Sequence, residues 1–305
     1  MTPVLTDAQT AALDHVRRLR AGSTPLAVEA PITINFHPDR SVPGGTVIDG
    51  LLADGRFRSQ FETGISNGGL TAFPGGDRDR WEERMFGGAY QRPGVRARDR
   101  PKYGALNLLH HEDGAAPRFG SAHLRLRPHV LAWATFTFGD SARHPTSAGT
   151  ADAFDAVLDA LHAHHGADAL SRPRRPGPGR ALDDYVEAQI HGPVRLADDV
   201  EALVLDSSFK GSGCGTAAAA DALTERYGLR VEWRSGFRLA PSDIPDDFRG
   251  PEVPVLAHGL CAHYGVAEVD PALIGAAARD PLRWGSPPEV LQLLKYLWHC
   301  LVEFG

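Results

Sequence analysis

Short apolar or alternating segments predict the β-strands of this chain. Apolar and polar residues that alternate with a period of two are typical of a half-buried strand. The segments with a strand pattern are 32–36, 124–127, 134–138, 185–190 and 200–206. Pro38 and Asp39 end the first of them, since proline cannot donate to a strand ladder and aspartate favours turns.

Apolar residues at helical spacing predict four helices. These are an amphipathic helix over 1–20 and helices over 150–165, 217–227 and 289–302. Thr150 is the expected N-cap of the second helix, and Gly166 ends it. Because strands and helices are segregated along the chain, we expect an α+β fold.

The segment 44–120 has weak periodicity and is rich in glycine and arginine. A disordered linker has a similar composition, but a linker would not expose aromatic side chains. The aromatic residues here are Phe57, Phe61, Phe73, Trp81, Phe86, Tyr90 and Tyr103. We therefore expect ordered loops and short elements that line a site. The mixed-charge run Asp77–Arg84 predicts an exposed, salt-bridged helix start.

These patterns divide the chain of 305 residues into three regions. Residues 1–31 form an N-terminal helical segment, and 32–206 form the core. Residues 207–305 are predicted to be mostly helical and packed on the core. Aromatic residues of this last region, such as Trp284 and Trp298, are assigned to packing.

Composition excludes several classes of protein. Hydrophobic residues make up 42% and charged residues 23%, which is ordinary for a packed protein and excludes wholesale disorder. A net charge of −6 argues against binding to nucleic acid. No apolar run is long enough to span a membrane, so we expect no membrane partner. Three distant cysteines without a paired motif favour a reducing cytoplasm.

Arginine carries nearly all the positive charge, because only three of the 32 basic residues are lysines. Arginine suits bidentate contacts to phosphate or carboxylate, although a biased genome composition gives the same excess. The segment Gly211–Thr216 lacks the third glycine of a dinucleotide fingerprint. His110–Asp113 and His162–His165 are assigned to a solvated turn and a helix end, so no metal is expected.

The predicted strand 185–190 has an unusual polar face. Tyr185, Glu187, Gln189 and His191 are two residues apart and therefore point to one side of the strand. The residues between them are apolar and point into a core. A strand with one polar face most often faces solvent, which is the alternative interpretation. Few lysines and the presence of a phenol and an amide instead favour a buried site.

This arrangement resembles the ADP-ribosyltransferases, which cleave NAD and transfer its ADP-ribose to an acceptor. In that family an arginine or histidine that holds NAD ends a first strand. The stretch Phe36–Arg40 matches this element, so the resemblance assigns NAD binding to His37 or Arg40. It also implies a split β-sheet core.

The resemblance extends to two later strands of the core. The serine- or threonine-rich strand that braces the site matches Thr135-Phe-Thr137, with 63–66 as the alternative. The strand with the catalytic glutamate, often followed two residues later by Gln or Glu, matches Glu187 and Gln189. The stretches 58–69 and 100–109 also resemble a bacterial family of unknown function.

Further residues complete the expected NAD site. The resemblance places Arg58, Ser66, Asn67 and Tyr103 with the NAD-binding residues, beside Thr135 and Thr137. The ring of Tyr103 or Phe61 is expected to stack on nicotinamide. The acceptor is not identified by the sequence: it can be a protein, a peptide or a small molecule, with a protein or peptide favoured and nucleic acid disfavoured. The oligomeric state is not specified either.

The chemistry of NAD cleavage explains why one glutamate suffices. The bond from nicotinamide to ribose breaks through an oxocarbenium-like state, and nicotinamide leaves as a neutral ring without a general acid. A carboxylate that accepts a hydrogen bond from the ribose stabilises the growing positive charge. We therefore expect a transferase that uses NAD as its substrate.

Three other functions stay open at this point. The first is an NAD glycohydrolase, in which water replaces the acceptor. The second is a non-catalytic protein that binds a nucleotide or peptide. The third is an unrelated hydrolase built on His37, Asp39 and Asp140.

Overall fold

The computed structural model describes residues 3–19, 24–64, 72–143, 147–166, 182–211 and 213–305. Eight strands of this part of the chain form one mixed sheet. They are β1 (Ile32–Phe36), β4 (Lys102–Leu106), β5 (Ala122–Leu126), β6 (Ala134–Phe138), β7 (Ala148–Thr150), β8 (Val186–Ile190), β9 (Val200–Asp206) and β10 (Arg230–Arg234). Two short strands, β2 (Ser41–Val42) and β3 (Gly45–Thr46), form a separate hairpin.

The order of strands in the large sheet is β10-β9-β5-β1-β4-β8-β6-β7. Neighbouring strands are antiparallel except for β9 and β10, which are parallel. All five predicted strands are present, and 32–36, 134–138 and 200–206 have the predicted bounds. Strands β4, β7 and β10 were not predicted. The mixed sheet with separate helices confirms an α+β fold.

Ten α-helices occur in the described residues. They are α1 (Asp7–Leu19), α2 (Val47–Asp54), α3 (Gln60–Thr63), α4 (Asp77–Met85), α5 (Asp155–His165), α6 (Leu196–Asp199), α7 (Thr216–Tyr227), α8 (Glu252–Tyr264), α9 (Pro271–Arg279) and α10 (Pro287–Phe304). No helix among them combines the length and the apolarity that crossing a membrane requires.

The predicted cap of the helix that follows β7 is wrong. Thr150 ends β7, where it pairs with Thr135, and α5 begins at Asp155. The side chain of Asp155 accepts a hydrogen bond from the backbone of Thr24, which ties the helix start to the N-terminal region. The predicted end is confirmed, since Gly166 caps α5 through a bond to the carbonyl of His162.

One face of the sheet forms the main hydrophobic core. Val186, Ala188 and Ile190 of β8 are buried there, as their alternation with polar residues predicted. Residues of β1, β5 and β9 join them, and α2, α5 and α7 contribute apolar side chains. Burial of this apolar area is the main force that holds the helices on the sheet.

A second core lies among the C-terminal helices. Apolar side chains of α8, α9 and α10 pack together there, and Trp298 of α10 is buried among them. The indole nitrogen of Trp298 also donates to the carbonyl of Pro117, 3.0 Å away in the core region. Arg279 of α9 pairs with the buried Asp39 at 3.2 Å. The C-terminal helices are therefore packed on the core.

Strands β1 and β4 pair at only two positions. The pairs are Ile32 with Leu106 and Thr33 with Ala105. Gly104 is the residue of β4 directly before Ala105. A Cβ atom there would lie 2.6 Å from the carbonyl oxygen of Thr33, so only glycine allows the two strands to approach this closely. Beyond it the strands no longer pair, and the end of β1 and the start of β4 both line a cleft.

Candidate functional site

The cleft between β1 and β4 has a volume of about 440 Å³. The end of β1, the strands β4 and β8 and the helices α2 and α4 contribute to its wall. Lys295 of α10 closes one side. Of the residues predicted to form the site, the cleft is lined by His37, Arg40, Arg58, Tyr103 and Glu187.

Glu187 is the carboxylate that β8 presents to the cleft. Its side chain is only 6% exposed, because the polar face of β8 lies under the cleft and not in solvent. Gln189 Nε2 donates to Glu187 Oε1 at 2.9 Å, and the backbone N–H of Ser141 donates to Oε2 at 3.3 Å. Burial raises the pKa of Glu187 to about 7, against the effect of the hydrogen bonds from Ser141. The solvent-facing alternative for this strand is therefore excluded.

A chain of buried hydrogen bonds fixes Gln189. Thr135 Oγ1 donates to Gln189 Oε1 at 2.7 Å, and His191 Nε2 lies 3.0 Å from Thr135 Oγ1. Burial lowers the pKa of His191 to about 3, so the ring is neutral. With Thr135 as donor to Gln189, His191 Nε2 carries the proton, and Nδ1 accepts from the Tyr90 hydroxyl at 2.6 Å. Each residue in this series therefore donates a hydrogen bond to the next, beginning with Tyr90 and ending at Glu187.

Thr135 and Thr137 lie behind this chain and do not line the cleft. Gln189 Nε2 contacts Thr137 Oγ1 at 3.2 Å, and both threonines are buried on β6. Their position follows from the strand order, since β6 is on the side of β8 that is remote from β4. They position the amide of Gln189, which in turn positions Glu187. Gln189 itself is fully buried and also lies outside the cleft wall.

His37 and Arg40 follow β1 on the other wall. The imidazole of His37 packs edge-on against Trp298, with 5.1 Å between the ring centres. Burial and the neighbouring Arg40 lower the pKa of His37 to about 4, so the imidazole is neutral at pH 7. Arg40 lines the cleft and is exposed. The C-terminal helix α10 thus packs against His37, one of the two residues that the resemblance assigned to NAD.

Tyr103 of β4 lies between the two walls. It is paired in register with Gln189 of β8, so Glu187 and Tyr103 share one face of adjacent strands. The phenol donates to Glu82 Oε1 at 2.7 Å, and burial raises the pKa of Tyr103 well above its usual value. The ring is therefore fixed and its hydroxyl protonated. Phe61, the other aromatic candidate, stacks on Arg100 at 4.1 Å and does not line the cleft.

Of the remaining residues that the sequence assigned to a site, some line the cleft and others do not. Arg58 lines the cleft and forms an ion pair with Asp54 of α2. Ser66 and Asn67 lie outside the described residues, as does residue 65 of the alternative bracing segment 63–66, whose first residue, Thr63, lines the cleft. Asp39 is bound to Arg279 and does not line the cleft, although His37 and Asp140 do. The hydrolase constellation of His37, Asp39 and Asp140 is therefore not assembled in the cleft.

Helix α4 is only partly the exposed helix that its charged sequence predicted. Arg80 and Asp77 do form an exposed ion pair. The opposite face is buried, and it contains Arg78, Trp81 and Glu82. This part of the prediction is wrong because the buried carboxylate pairs with a residue distant in sequence: Arg100 Nη1 lies 2.8 Å from Glu82 Oε2. A tryptophan within a charged run was the signal for burial.

Glu82 is a second carboxylate near the cleft. It is fully buried, accepts from Tyr103 and pairs with Arg100. Burial raises the pKa of Glu82 to about 7, although Arg100 and the hydrogen bond from Tyr103 act in the opposite direction. Sequence analysis missed Glu82 because nothing in its spacing connects it to β4.

The histidines at the end of α5 have a carboxylate neighbour. His164, His165 and Asp184 have potential ligand atoms within 4.8 Å of one another. His165 Nε2 lies 2.7 Å from Asp184 Oδ1, which is the length of a hydrogen bond. Their separation of 19 positions in the sequence explains why spacing alone did not reveal this contact. The group lies apart from the residues that line the cleft.

Comparison with known proteins identifies a family and a relative of this chain. Residues 31–165 and 162–304 match a family described as "protein of unknown function (DUF3626)". The "Gene 2 protein" of Mycobacterium phage D29 is 31% identical over 175 residues, which is 52% of this chain. The match spans 60% of the length of that relative.

Proposed function

The chain belongs to the DUF3626 family of proteins of unknown function, and we infer its activity from the cleft. We propose that the protein transfers ADP-ribose from NAD to an acceptor and releases nicotinamide. The proposal rests on one observation, the position of Glu187. This carboxylate is buried in the wall of a cleft between two separating strands and is held by Gln189 and Ser141.

The carboxylate of Glu187 suits a reaction in which positive charge develops on a sugar. In the proposed step the bond from ribose C1′ to the nicotinamide nitrogen breaks, and its electron pair stays on nitrogen. Nicotinamide becomes neutral, and C1′ becomes electron-poor until an acceptor oxygen or nitrogen supplies a new pair. A hydrogen bond from a ribose hydroxyl to Glu187 becomes stronger as this charge grows, which lowers the barrier.

The surroundings of Glu187 support this role. Its carboxylate has no ion pair with a cation among the described residues, so its charge remains available to a substrate. Gln189 and Ser141 fix its orientation, which removes the cost of reorganisation during the reaction. Asp140, another residue of the cleft wall, adds a second negative charge nearby.

Other cleft residues fit the parts of NAD. Arg40 and Arg58 supply guanidinium groups for the pyrophosphate, and neutral His37 supplies a hydrogen-bonding ring beside them. Tyr103 offers an aromatic ring next to Glu187 for the nicotinamide. A cleft of about 440 Å³ is within the size range of small-molecule sites. In our proposal Gln189, Thr135 and Thr137 position Glu187 and do not touch NAD.

Release of nicotinamide from NAD tests this proposal. We expect release by the wild-type protein and a loss of about a hundredfold or more in Glu187→Gln, since this is the usual effect of removing a group that stabilises the transition state. Glu225→Gln is the matched control, because Glu225 is an exposed glutamate of α7. Chromatography quantifies the nicotinamide.

The fate of the ADP-ribose decides between the open alternatives. Label from NAD on a protein or peptide indicates a transferase, whereas free ADP-ribose as the sole product indicates a glycohydrolase. Bound NAD without nicotinamide release indicates a binding protein. Equal release by wild type and Glu187→Gln contradicts the assigned role of the carboxylate.

A further inference from the structure

Helix α4 contributes a buried guanidinium with unused donors to the cleft. Arg78 is 5% exposed and lines the cleft wall. Its Nε and Nη1 atoms are buried and find no acceptor among the described residues. The centre of the guanidinium lies 4.3 Å from the ring centre of Trp81 and 4.5 Å from that of Tyr103.

Burial of this charge is costly without a partner. A buried ion that lacks hydrogen bonds is disfavoured, and two aromatic faces compensate only part of the cost. Glu82 attracts Arg78 electrostatically, but its two oxygens already bind Arg100 and Tyr103. The Nε and Nη1 groups of Arg78 therefore remain available to a ligand, while the two rings fix the plane of the guanidinium.

Trp81 adds a further donor to the same wall. Its ring is 5% exposed and lines the cleft, and its indole Nε1 is buried without an acceptor among the residues that the structure describes. Two side chains one helical turn apart thus offer three donor nitrogens and one positive charge. The chemistry that satisfies such a set is an oxyanion, because its oxygens accept hydrogen bonds from N–H groups and its negative charge compensates the buried guanidinium.

We infer that Arg78 and Trp81 form an oxyanion subsite that binds a phosphate or carboxylate group of the acceptor molecule. The assignment to the acceptor rests on the proposed function. In that proposal Arg40 and Arg58 hold the pyrophosphate of NAD, with His37 beside them, whereas Arg78 is stacked on Tyr103 of β4, next to Glu187. A second anion is therefore expected near the reacting carbon.

The acceptor chemistry balances with this arrangement. An ionised oxygen of the bound phosphate or carboxylate supplies the electron pair of the new bond to ribose C1′. The bond from C1′ to nitrogen breaks with its pair on nicotinamide. No proton has to be removed from an ionised acceptor, so the site needs no general base for this step.

Anion binding in the absence of NAD tests the subsite. Calorimetry with inorganic phosphate and with acetate is expected to show binding of at least one anion to the wild-type protein. Arg78→Met is expected to weaken that binding at least tenfold, and Arg78→Lys retains the charge but loses the fork. Arg80→Met is the matched control on the same helix, because Arg80 is exposed and paired with Asp77.

Folding of the variants is checked by thermal unfolding. Arg78→Met removes a buried charge with unused donors, so its Tm is expected to equal or exceed that of the wild type. Phosphate binding alone indicates a phosphate group on the acceptor, and acetate binding alone indicates a carboxylate. Binding of neither anion, or equal binding by Arg78→Met, overturns the inference.

Titration with a non-hydrolysable NAD analogue separates this inference from the proposed function. Phosphate binding that persists with saturating analogue supports an acceptor subsite. Displacement of phosphate by the analogue overturns the acceptor assignment, because the subsite then serves the phosphates of NAD. Arg78-dependent phosphate binding in a protein that releases no nicotinamide refutes the proposed transferase and leaves the anion subsite in place.

Discussion

Glu82 and Glu187 are two buried carboxylates whose different partners give them different roles. Glu82 pairs with Arg100 at 2.8 Å and accepts from Tyr103, so its charge is used within the protein. Among the residues that the structure describes, Glu187 is bound by neutral donors alone, from Gln189 and Ser141. A carboxylate without a cationic partner is not neutralised by the protein, so its negative charge can act on a bound ligand. For this reason we assign the stabilisation of the sugar cation to Glu187.

The raised pKa of Glu187 leads to a prediction about pH. Its pKa in the folded protein is about 7, above the ordinary value of 4.5. Only the ionised carboxylate stabilises the sugar cation, so kcat/KM for nicotinamide release should rise with pH through about 7. The same rise should be absent from the residual activity of Glu187→Gln, as measured in a series of buffers at constant ionic strength.

The substitution Glu187→Gln should lower activity but raise the free energy of unfolding. A carboxyl whose pKa is raised by folding costs stability once the pH exceeds its unfolded value, so the neutral variant Glu187→Gln should be more stable at pH 8. We expect a gain of about 1–3 kcal/mol in the free energy of unfolding in urea. The gain should vanish below pH 4.5, where both states are protonated. A loss of stability of Glu187→Gln at pH 8 would contradict the conclusion that the Glu187 carboxylate is buried without a cationic partner.

Among the elements, β8 could be predicted from sequence and β4 could not. Val186, Ala188 and Ile190 alternate with polar residues, and both faces of β8 are placed as the alternation requires. The strand β4 places Lys102 on its core side, where Nζ donates to two backbone carbonyls, so no alternation is visible. Burial lowers the pKa of Lys102 to about 8.

The missed strand changes the interpretation of the site. Because β4 lies between β1 and β8, Tyr103 is next to Glu187, and the threonines of β6 are on the far side. Sequence analysis identified the carboxylate and the end of β1, both of which lie in recognisable strands. It could not identify Arg78 or Glu82, since their partners are brought together only by tertiary contacts.

Gly104 sets the spacing at which β1 and β4 separate. A methyl group at this position would lie 2.6 Å from the Thr33 carbonyl oxygen, so Gly104→Ala must push the two strands apart. We expect a loss of about 1–3 kcal/mol in stability, which is typical of overpacking, together with weaker NAD binding. Urea unfolding and calorimetry measure the two effects.

Gly50→Ala is the control for this substitution. Gly50 also lines the cleft, but a Cβ atom there would meet no atom within 4 Å. Because Gly50 lies within α2, alanine should leave stability unchanged or raise it by about 0.5–1 kcal/mol. Equal losses in the two variants would contradict the close approach of β1 and β4 at Gly104.

At the scale of the whole molecule, the C-terminal helices hold the wall of the cleft that follows β1. Trp298 contacts the ring of His37 and donates to the carbonyl of Pro117. Arg279 pairs with Asp39, two residues beyond His37. Burial raises the pKa of Asp39 to about 6, although Arg279 acts in the opposite direction. The turn after β1 is therefore stabilised by residues more than 200 positions away.

The contact between α9 and the turn after β1 can be tested at Gly275, which lies against Asp39. A Cβ atom there would overlap the carboxylate of Asp39, so Gly275→Ala must displace Asp39 from Arg279. Because Arg279 is 34% exposed and neither partner is removed, we expect the loss typical of overpacking, about 1–3 kcal/mol in unfolding free energy. Gly259→Ala is the control, because the nearest atom to its Cβ would be 3.9 Å away in Trp284. A decrease as small in Gly275→Ala as in the control would show that α9 is not packed on this turn.

The position of NAD relative to Glu187 tests the central claim most directly. The measurement is a crystal structure of the protein with a non-hydrolysable NAD analogue in the cleft. We predict that a hydroxyl of the nicotinamide ribose lies within about 2.6–3.2 Å of a Glu187 oxygen, the range of a hydrogen bond that acts in catalysis. An analogue bound in the cleft with its nicotinamide ribose out of reach of Glu187, or bound elsewhere on the protein, would contradict the account.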